Sequence, residues 1–402
     1  MSIFQYHLII IIISLFFLFK RYKNDQINFF LNYHTYLLIF AIFYFSLPSM
    51  VNLSTMTSPV NASENTIILS SKLGFYFHFI FLLGFLATKK LKYYSIKKTY
   101  LTKSTHNILF FLALVISIYI LVLILINFDY IISIYGDRRS QADFDQILNI
   151  KYKIYLFFSY QTIVISFLVL TTKKLKYFLL TLPFIFLSIL ISDRDFLLKC
   201  FLFLILLYSL LEYKIKGRYL VFFPLLLILI GLLRSGTFDT NRFLIQSSGE
   251  FLMTWSTTHL IIESNDKMNF FSSLFYSLSK AGFPGLYDNL FGEYKHYHEI
   301  ITYNNPLIAG LGGSVVAETL SYKNNFITTI MPILVVLYGF VMNKFLRLNL
   351  YSTKIFFILS ILLIHSVIRF TFLENAFYPI FIIGSFGFWI IFIDIKLLKN
   401  NG

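Results

Sequence analysis

Residues 177–212 read YFLLTLPFIFLSILISDRDFLLKCFLFLILLYSLLE. Two apolar runs flank the charged triplet Asp193-Arg194-Asp195. A membrane-spanning helix needs about 20 apolar residues, and in lipid only helices and closed barrels satisfy every backbone hydrogen bond. The runs do not alternate apolar and polar residues as a barrel strand would. The stretch therefore predicts two membrane-spanning helices joined by a polar turn at 193–195.

The whole chain shares this apolar character. Of its 402 residues, 57% are hydrophobic and 13% are charged, whereas soluble domains average about 25% charged residues. We predict an all-α polytopic membrane protein, with residues 1–402 forming a single integral membrane domain. Its eleven spans are predicted at 3–19, 35–50, 67–87, 107–127, 154–171, 177–192, 196–212, 219–234, 324–343, 353–371 and 376–395. The first run has no basic segment before it, so we interpret it as a retained span rather than a signal peptide.

Charge differs between alternate loops. The loops after the odd-numbered spans hold 20 of the 34 Lys and Arg residues but three of the 19 acidic residues. The positive-inside rule places these basic loops in the cytoplasm. The N-terminus is then outside the cytoplasm and the C-terminus inside it. The net charge of +15 is accordingly an orientation signal, and no nucleic-acid partner is predicted.

The long segment 235–323 is predicted on the outer side. Apolar residues at helical spacing within 249–262 and 269–279 predict two short amphipathic helices. The second is too short to span, so it should lie in the membrane interface with its apolar face in lipid. It should end at Gly-Phe-Pro-Gly, residues 282–285, because this tetrapeptide breaks helices.

Arginines recur on the predicted outer side, two of them close to membrane depth. A charge there costs at least about 2.5 kcal/mol, which favours a functional partner. Arginine grips phosphate oxygens with a planar fork, so these side chains are candidates for binding a lipid-linked diphosphate. Arg194 could instead pair with its flanking aspartates, and Arg369 with Glu374. The candidates are Arg138, Arg139, Arg194, Arg242 and Arg369.

Other polar residues of the outer segment are candidates for chemistry. Glu318 lies just before a span and could act as a general base, or pair with Lys323. Tyr322 is a candidate sugar contact. His296 and His298 lie in GEYKHYHE, which has donors that zinc uses. Because no second cluster completes a zinc site, we favour sugar contacts or solvent exposure and predict no metal.

This layout resembles the O-antigen polymerases, the Wzy-type oligosaccharide repeat-unit polymerases of bacterial inner membranes. Three stretches carry the resemblance: ISDRDFLL with Arg194, GGSVVAETLSYKNNF with Glu318, and RFTF with Arg369. The acidic neighbours of Arg194 depart from the family pattern, in which small residues are more usual. The resemblance implies a fold like the GT-C membrane glycosyltransferases, with 235–323 as a large periplasmic loop.

The resemblance also implies an activity. A growing glycan would move from undecaprenyl diphosphate to a lipid-linked repeat unit at the periplasmic face, without a cofactor. Arg194 and Arg369 would stabilise the leaving diphosphate, and Glu318 would accept a proton. Membrane lipid and a protein that regulates chain length are further implied partners.

Three other functions stay open from sequence. An O-antigen ligase would use the same donor with a different acceptor. A flippase or transporter should show an internal repeat and charges deep within its spans, and neither is evident in the sequence. A membrane acyltransferase would need a catalytic histidine near a membrane face, for which the candidates are His7, His34 and His78.

Overall fold

The computed structural model describes an all-helical protein. It describes residues 2–88, 102–128, 141–190, 194–215, 243–264, 267–282, 286–292, 314–348, 350–369, 371–380 and 382. The helices before residue 215 are α1 (Ile3–Asn24), α2 (Gln26–Phe30), α3 (Tyr33–Ala41), α4 (Leu47–Thr55), α5 (Glu64–Ala87), α6 (Lys103–Ile126), α7 (Gln141–Thr172), α8 (Leu182–Leu190) and α9 (Arg194–Leu210). The helices after residue 242 are α10 (Phe243–Glu263), α11 (Phe270–Gly282), α12 (Leu286–Phe291), α13 (Val315–Leu320), α14 (Asn325–Arg347), α15 (Tyr351–Leu362), α16 (Ile364–Arg369) and α17 (372–380).

Six of the predicted spans are confirmed as helices long and apolar enough to cross a membrane. They correspond to α1, the continuous segment Tyr33–Thr55, α5, α6, Ile154–Thr172 and α14. Large apolar side chains on them face outward, among them Phe111 at 65% and Ile126 at 77% exposure. Water would oppose such a surface, whereas lipid accepts it. The chain is therefore a membrane-embedded helical protein.

Other predicted spans differ from the helices of the structure. The span predicted at 177–192 is instead a 3₁₀ helix, Leu175–Thr181, followed by α8. The span predicted at 353–371 is divided into α15 and α16 by a turn at Leu363. Of the polar turn predicted at 193–195, Arg194 and Asp195 instead belong to the first turn of α9, and Asp193 lies outside the described residues. Asp195 in its first turn favours that start through the helix dipole. The span predicted at 219–234 lies outside the described residues, as does most of 376–395.

The described residues form two compact units. The first comprises residues 1–92, 248–345 and 363–384. Its core surrounds Phe45, whose ring lies 6.0 Å from the rings of Phe77, Phe81 and Trp255. Gly74 permits this packing, because a Cβ atom there would lie 2.8 Å from Cη2 of Trp255. Small residues serve the same purpose at many membrane helix contacts.

A polar junction ties α3 to α14 within this first unit. Asn343 accepts the backbone N–H of Tyr33 at 2.9 Å, and its amide nitrogen lies 3.0 Å from Nδ1 of His34. The other ring nitrogen of His34 donates to the carbonyl of Val336 at 3.1 Å. Gly339 lies against the same histidine ring. The Asn343 amide and both nitrogens of His34 therefore have partners, as an apolar environment requires.

The second unit comprises residues 93–247, 346–362 and 385–402. Phe158, Phe184, Phe196 and Phe203 form an aromatic cluster in its core. The amide nitrogen of Gln161 in α7 donates to the carbonyl of Leu180 in the 3₁₀ helix at 3.0 Å. The hydroxyl of Ser117 donates to the same carbonyl at 2.7 Å, so two side chains satisfy this carbonyl of the irregular backbone.

Candidate functional site

The candidate site is centred on Glu318 in the short helix α13. Ser314 caps this helix by accepting the backbone N–H of Ala317 at 3.0 Å, and its hydroxyl also lies 3.0 Å from that of Thr258. The residues Val315–Thr319 are all buried, and Glu318 itself is only 2% exposed. A carboxyl group this buried needs hydrogen-bond donors nearby.

Three donors surround the Glu318 carboxyl group. The backbone N–H of Phe372 donates to Oε2 at 2.6 Å, and that of Leu373 lies 3.5 Å from Oε1. The phenol of Tyr322 donates to Oε1 at 3.1 Å. Phe372 and Leu373 begin helix α17, whose first N–H groups have no partner within the helix. Glu318 therefore caps α17 from 54 residues away along the chain.

The environment of Glu318 shifts the pKa of its carboxyl group toward neutral pH. Burial raises the pKa of Glu318 from 4.5 to about 7, and nearby Glu374 adds to the increase. The hydrogen bonds from Phe372, Leu373 and Tyr322 act in the opposite direction. A carboxyl group with this pKa exchanges a proton near neutral pH, as a general acid or base must.

A set of backbone contacts fixes the position of the site. Met268 pairs with the chain at Tyr322: its N–H donates to the carbonyl of Ser321 at 2.7 Å, and its carbonyl accepts the N–H of Lys323 at 3.0 Å. The ammonium group of Lys267 donates to the carbonyl of Leu320 at 2.9 Å. The long segment before α13 thus holds the chain on either side of Tyr322.

The sequence left an alternative open for each of two site residues, and the pairing of Arg369 with Glu374 stays a prediction. The pairing of Glu318 with Lys323 is wrong, because Lys323 is exposed and the Glu318 carboxyl group is bonded to Tyr322 and to the start of α17. Arg369 is the last residue of α16, three positions before Phe372, and its Nε atom is buried. Arg369 therefore lies in the chain segment that leads directly into the start of α17, the end that Glu318 caps.

The structure does not describe the side chains of the other candidates. Arg194 begins α9 in the second unit, and its side chain lies outside the described residues. Arg138, Arg139, Arg242, His296 and His298 also lie outside the described residues, so their predicted roles stay predictions. Within the described ranges, no group of three or more His, Cys, Asp or Glu side chains could hold a metal ion.

The start of α17 is the part of the site that sequence reasoning missed. Residues 372–375 were predicted to be an outer loop, but they are the first turn of a helix. The only local signal was Thr371, a residue type that often precedes helices. No family model matches the chain, and no curated protein or solved structure matches it.

Proposed function

We propose that the protein is a repeat-unit polymerase that transfers a glycan from undecaprenyl diphosphate to a lipid-linked repeat unit. One observation supports the proposal most directly: a buried carboxyl group titrating near neutral pH lies at a helix start that follows an arginine by three residues. Glycan transfer needs a proton acceptor for the attacking hydroxyl and cations for the leaving diphosphate. Glu318 and Arg369 are the residues to which we assign these roles.

The proposed step moves one glycosyl group. A hydroxyl oxygen of the acceptor sugar attacks the anomeric carbon of the donor, and the bond to the diphosphate oxygen breaks. Glu318 takes the hydroxyl proton, while the leaving diphosphate carries away the bonding electron pair. Guanidinium groups stabilise the charge that develops on the diphosphate, which preorganised cations do well in a partly dry site. We assign this role to Arg369 and Arg194, with Arg138, Arg139 and Arg242 as further contacts.

The proposal extends to topology and location. Eleven spans, a GT-C-like fold and a bacterial inner membrane with a periplasmic N-terminus would place 235–323, Glu318 and Arg369 on the periplasmic side. Lipid-linked repeat units are polymerised on that side. The contact between α13 and the start of α17 supports an arrangement in which the end of the long segment returns to the helical bundle.

The test is the lipopolysaccharide of a strain deleted for this gene. The polymerase proposal predicts core carrying a single repeat unit. Bare core with lipid-linked polymer would indicate a ligase instead, and loss of all exported repeat units would indicate a flippase.

Complementation of the deletion strain tests the arginine roles. Arg369→Ala and Arg194→Ala should leave the protein in the membrane but abolish long-chain polysaccharide. Arg369→Lys keeps the charge without the bidentate fork, so it should restore chains only partly. Normal chain lengths in both alanine variants would refute these roles.

A further inference from the structure

A second buried polar group lies inside the candidate spans of the first unit, remote from Glu318 in sequence. It comprises His7 and Ser14 of α1, Ser46 at the end of the π-helical turn Ile42–Ser46, and His78 of α5. All four side chains are fully buried. Single π-helical turns inside helices are rare and recur at functional sites. An ionisable side chain within a span is also a reason to look for a function.

The four side chains form a continuous hydrogen-bonded chain. Nε2 of His7 lies 2.9 Å from the carbonyl oxygen of Ser71, and its Nδ1 lies 3.0 Å from Oγ of Ser46. The same Ser46 oxygen lies 2.6 Å from Nδ1 of His78. Nε2 of His78 lies 3.0 Å from Oγ of Ser14. Ser46 therefore joins the two imidazole rings through a single oxygen atom.

The carbonyl at one end fixes the direction of every bond. A carbonyl only accepts, so His7 must donate from Nε2, and neutral His7 must then accept at Nδ1. Ser46 supplies that hydrogen and, having only one, must accept from Nδ1 of His78. Nε2 of His78 then accepts the hydroxyl hydrogen of Ser14. His78 is thus held with its hydrogen on Nδ1, and His7 with its hydrogen on Nε2.

This chain can take up one proton with little rearrangement. A proton added at Nε2 of His78 keeps the bond to Ser46, and only the Ser14 hydroxyl must rotate, as helical serines do toward a carbonyl of the preceding turn. A proton added at Nδ1 of His7 would instead displace the hydrogen that Ser46 donates. A second proton would place two charges on rings that share one oxygen atom, in an environment of low dielectric constant.

In the part of the chain that the structure describes, no other titratable side chain is bonded to these four. Within the described residues, the four side chains are bonded only to one another and to the Ser71 carbonyl. Other titratable groups on the helices packed around them are directed elsewhere: Arg21 to Thr88, Tyr44 to His365, His259 to Ser58 and Ser70, and Glu318 to Tyr322. The remaining such groups are Tyr6, Lys20, Tyr22, Lys23, Tyr33, His34, Tyr36, Glu64, Lys72 and Tyr76.

We propose that Ser14, His78, Ser46 and His7 form an intramembrane binding site for a single proton, taken up at His78. The site is independent of the glycosyl-transfer proposal, since it uses other residues. It gives the protein two states that differ by one buried charge.

Solid-state NMR of the full-length protein in lipid bilayers, with labelled histidines, tests this site. At mildly alkaline pH, His78 should carry hydrogen on Nδ1, the rarer tautomer, and His7 on Nε2. On acidification, one imidazolium should form in the pair, at His78. An Nε2–H tautomer of His78 at alkaline pH would overturn the proposal. So would the absence of an imidazolium at acidic pH, charging of His7 before His78, or simultaneous charging of both rings.

Two serine variants test the role of Ser46. Ser46→Ala removes the shared acceptor, so His78 should change to the Nε2–H tautomer and donate to Ser14. Retention of Nδ1–H in that variant would contradict the role of Ser46. Ser54→Ala is the matched control, because Ser54 is exposed and bonds within its own helix; it should leave both tautomers unchanged. If Ser46→Ala does not insert, the wild-type tautomers alone decide the question.

Discussion

At the scale of single residues, Glu318 is a carboxyl group whose pKa is shifted toward neutral pH. Its carboxyl group is buried, yet three donors hold it. Burial disfavours the charged form, and the donors favour it. The balance leaves the pKa of Glu318 at about 7. The same balance makes Glu318 both a stability determinant and a candidate proton acceptor.

Folding stability should fall as pH rises between 4.5 and about 7, the unfolded and folded pKa values of Glu318. In this window the folded state binds more protons than the unfolded state, so deprotonation favours unfolding. The full effect is on the order of 3 kcal/mol. Thermal unfolding in detergent should show this slope for the wild type. Glu318→Gln should lack it, and identical slopes in the two proteins would contradict the shifted pKa.

Tyr322→Phe should raise the pKa of Glu318 further, because the lost phenol hydrogen bond favours the charged form. If Glu318 is the proton acceptor, the pH dependence of glycan transfer should move to higher pH. Measurement of transfer rate against pH checks this expectation. A pH profile that does not move would show that Tyr322 has no influence on the titrating group.

At the scale of elements, glycine and asparagine set the contact of α3 with α14. A Cβ atom on Gly339 would lie 2.8 Å from Cδ1 of Tyr33 and 2.9 Å from Cε1 of His34. Both rings are buried and cannot move away easily. The approach of the two helices therefore requires glycine at this position.

Gly339→Ala should destabilise the protein by about 1–3 kcal/mol through overpacking. Leu337→Ala, two residues earlier, is the matched control, because Leu337 is 51% exposed. Unfolding in detergent mixtures should separate the two variants clearly. Equal stability of Gly339→Ala and wild type would mean that the helices move apart without cost.

Helix α11 presents an apolar surface next to a serine face. Phe271 is 75% exposed and Leu278 is 45% exposed, whereas Ser273 and Ser277 are buried. This inside-out pattern supports the prediction that the helix lies in the membrane interface. The indole introduced by Phe271→Trp should therefore be quenched by brominated lipids. The quenching of a second introduced indole, Asp288→Trp in the first turn of α12, is measured for comparison. Strong quenching of the Phe271→Trp indole by an aqueous quencher instead would contradict interfacial burial.

At the scale of the whole molecule, sequence periodicity predicted the long helices because each is amphipathic or apolar over its full length. It also placed the end of α11 correctly, since Gly-Phe-Pro-Gly cannot continue a helix. It did not predict the break at Leu363, where the apolar pattern continues without a Gly or Pro. The local sequence therefore carries no signal for this break.

The sequence predicts one part of the candidate site, the contact of Glu318 with Tyr322, but not its contacts with the start of α17. Glu318 and Tyr322 are four residues apart, which is a spacing that lets side chains meet on a helical turn. The N–H groups of Phe372 and Leu373 lie 54 and 55 residues away, and no local pattern pairs them with a carboxyl group. The arginines are easy to recognise in an apolar sequence, but their spacing does not show whether their side chains lie close together in the fold.

The membrane topology has its own test. The chain has one cysteine, Cys200, which is buried. In a Cys200→Ser background, single cysteines introduced by Lys174→Cys and Lys323→Cys should lie on opposite sides of the membrane. A membrane-impermeant thiol reagent applied to intact spheroplasts should modify position 323 and leave position 174 unmodified. Labelling of both positions, or of 174 alone, would contradict the predicted orientation.

The most direct test of the account is glycan transfer by the purified protein in lipid vesicles, with undecaprenyl-diphosphate-linked repeat units as substrate. The wild-type rate should rise with pH through an inflection at about 7, the pKa of Glu318. Glu318→Gln keeps the shape of the side chain, replaces one acceptor oxygen with an NH₂ group and cannot accept a proton, so its rate should fall by about 10²–10⁴-fold. A Glu318→Gln variant that elongates chains at the wild-type rate would show that Glu318 only caps α17, and would contradict the account.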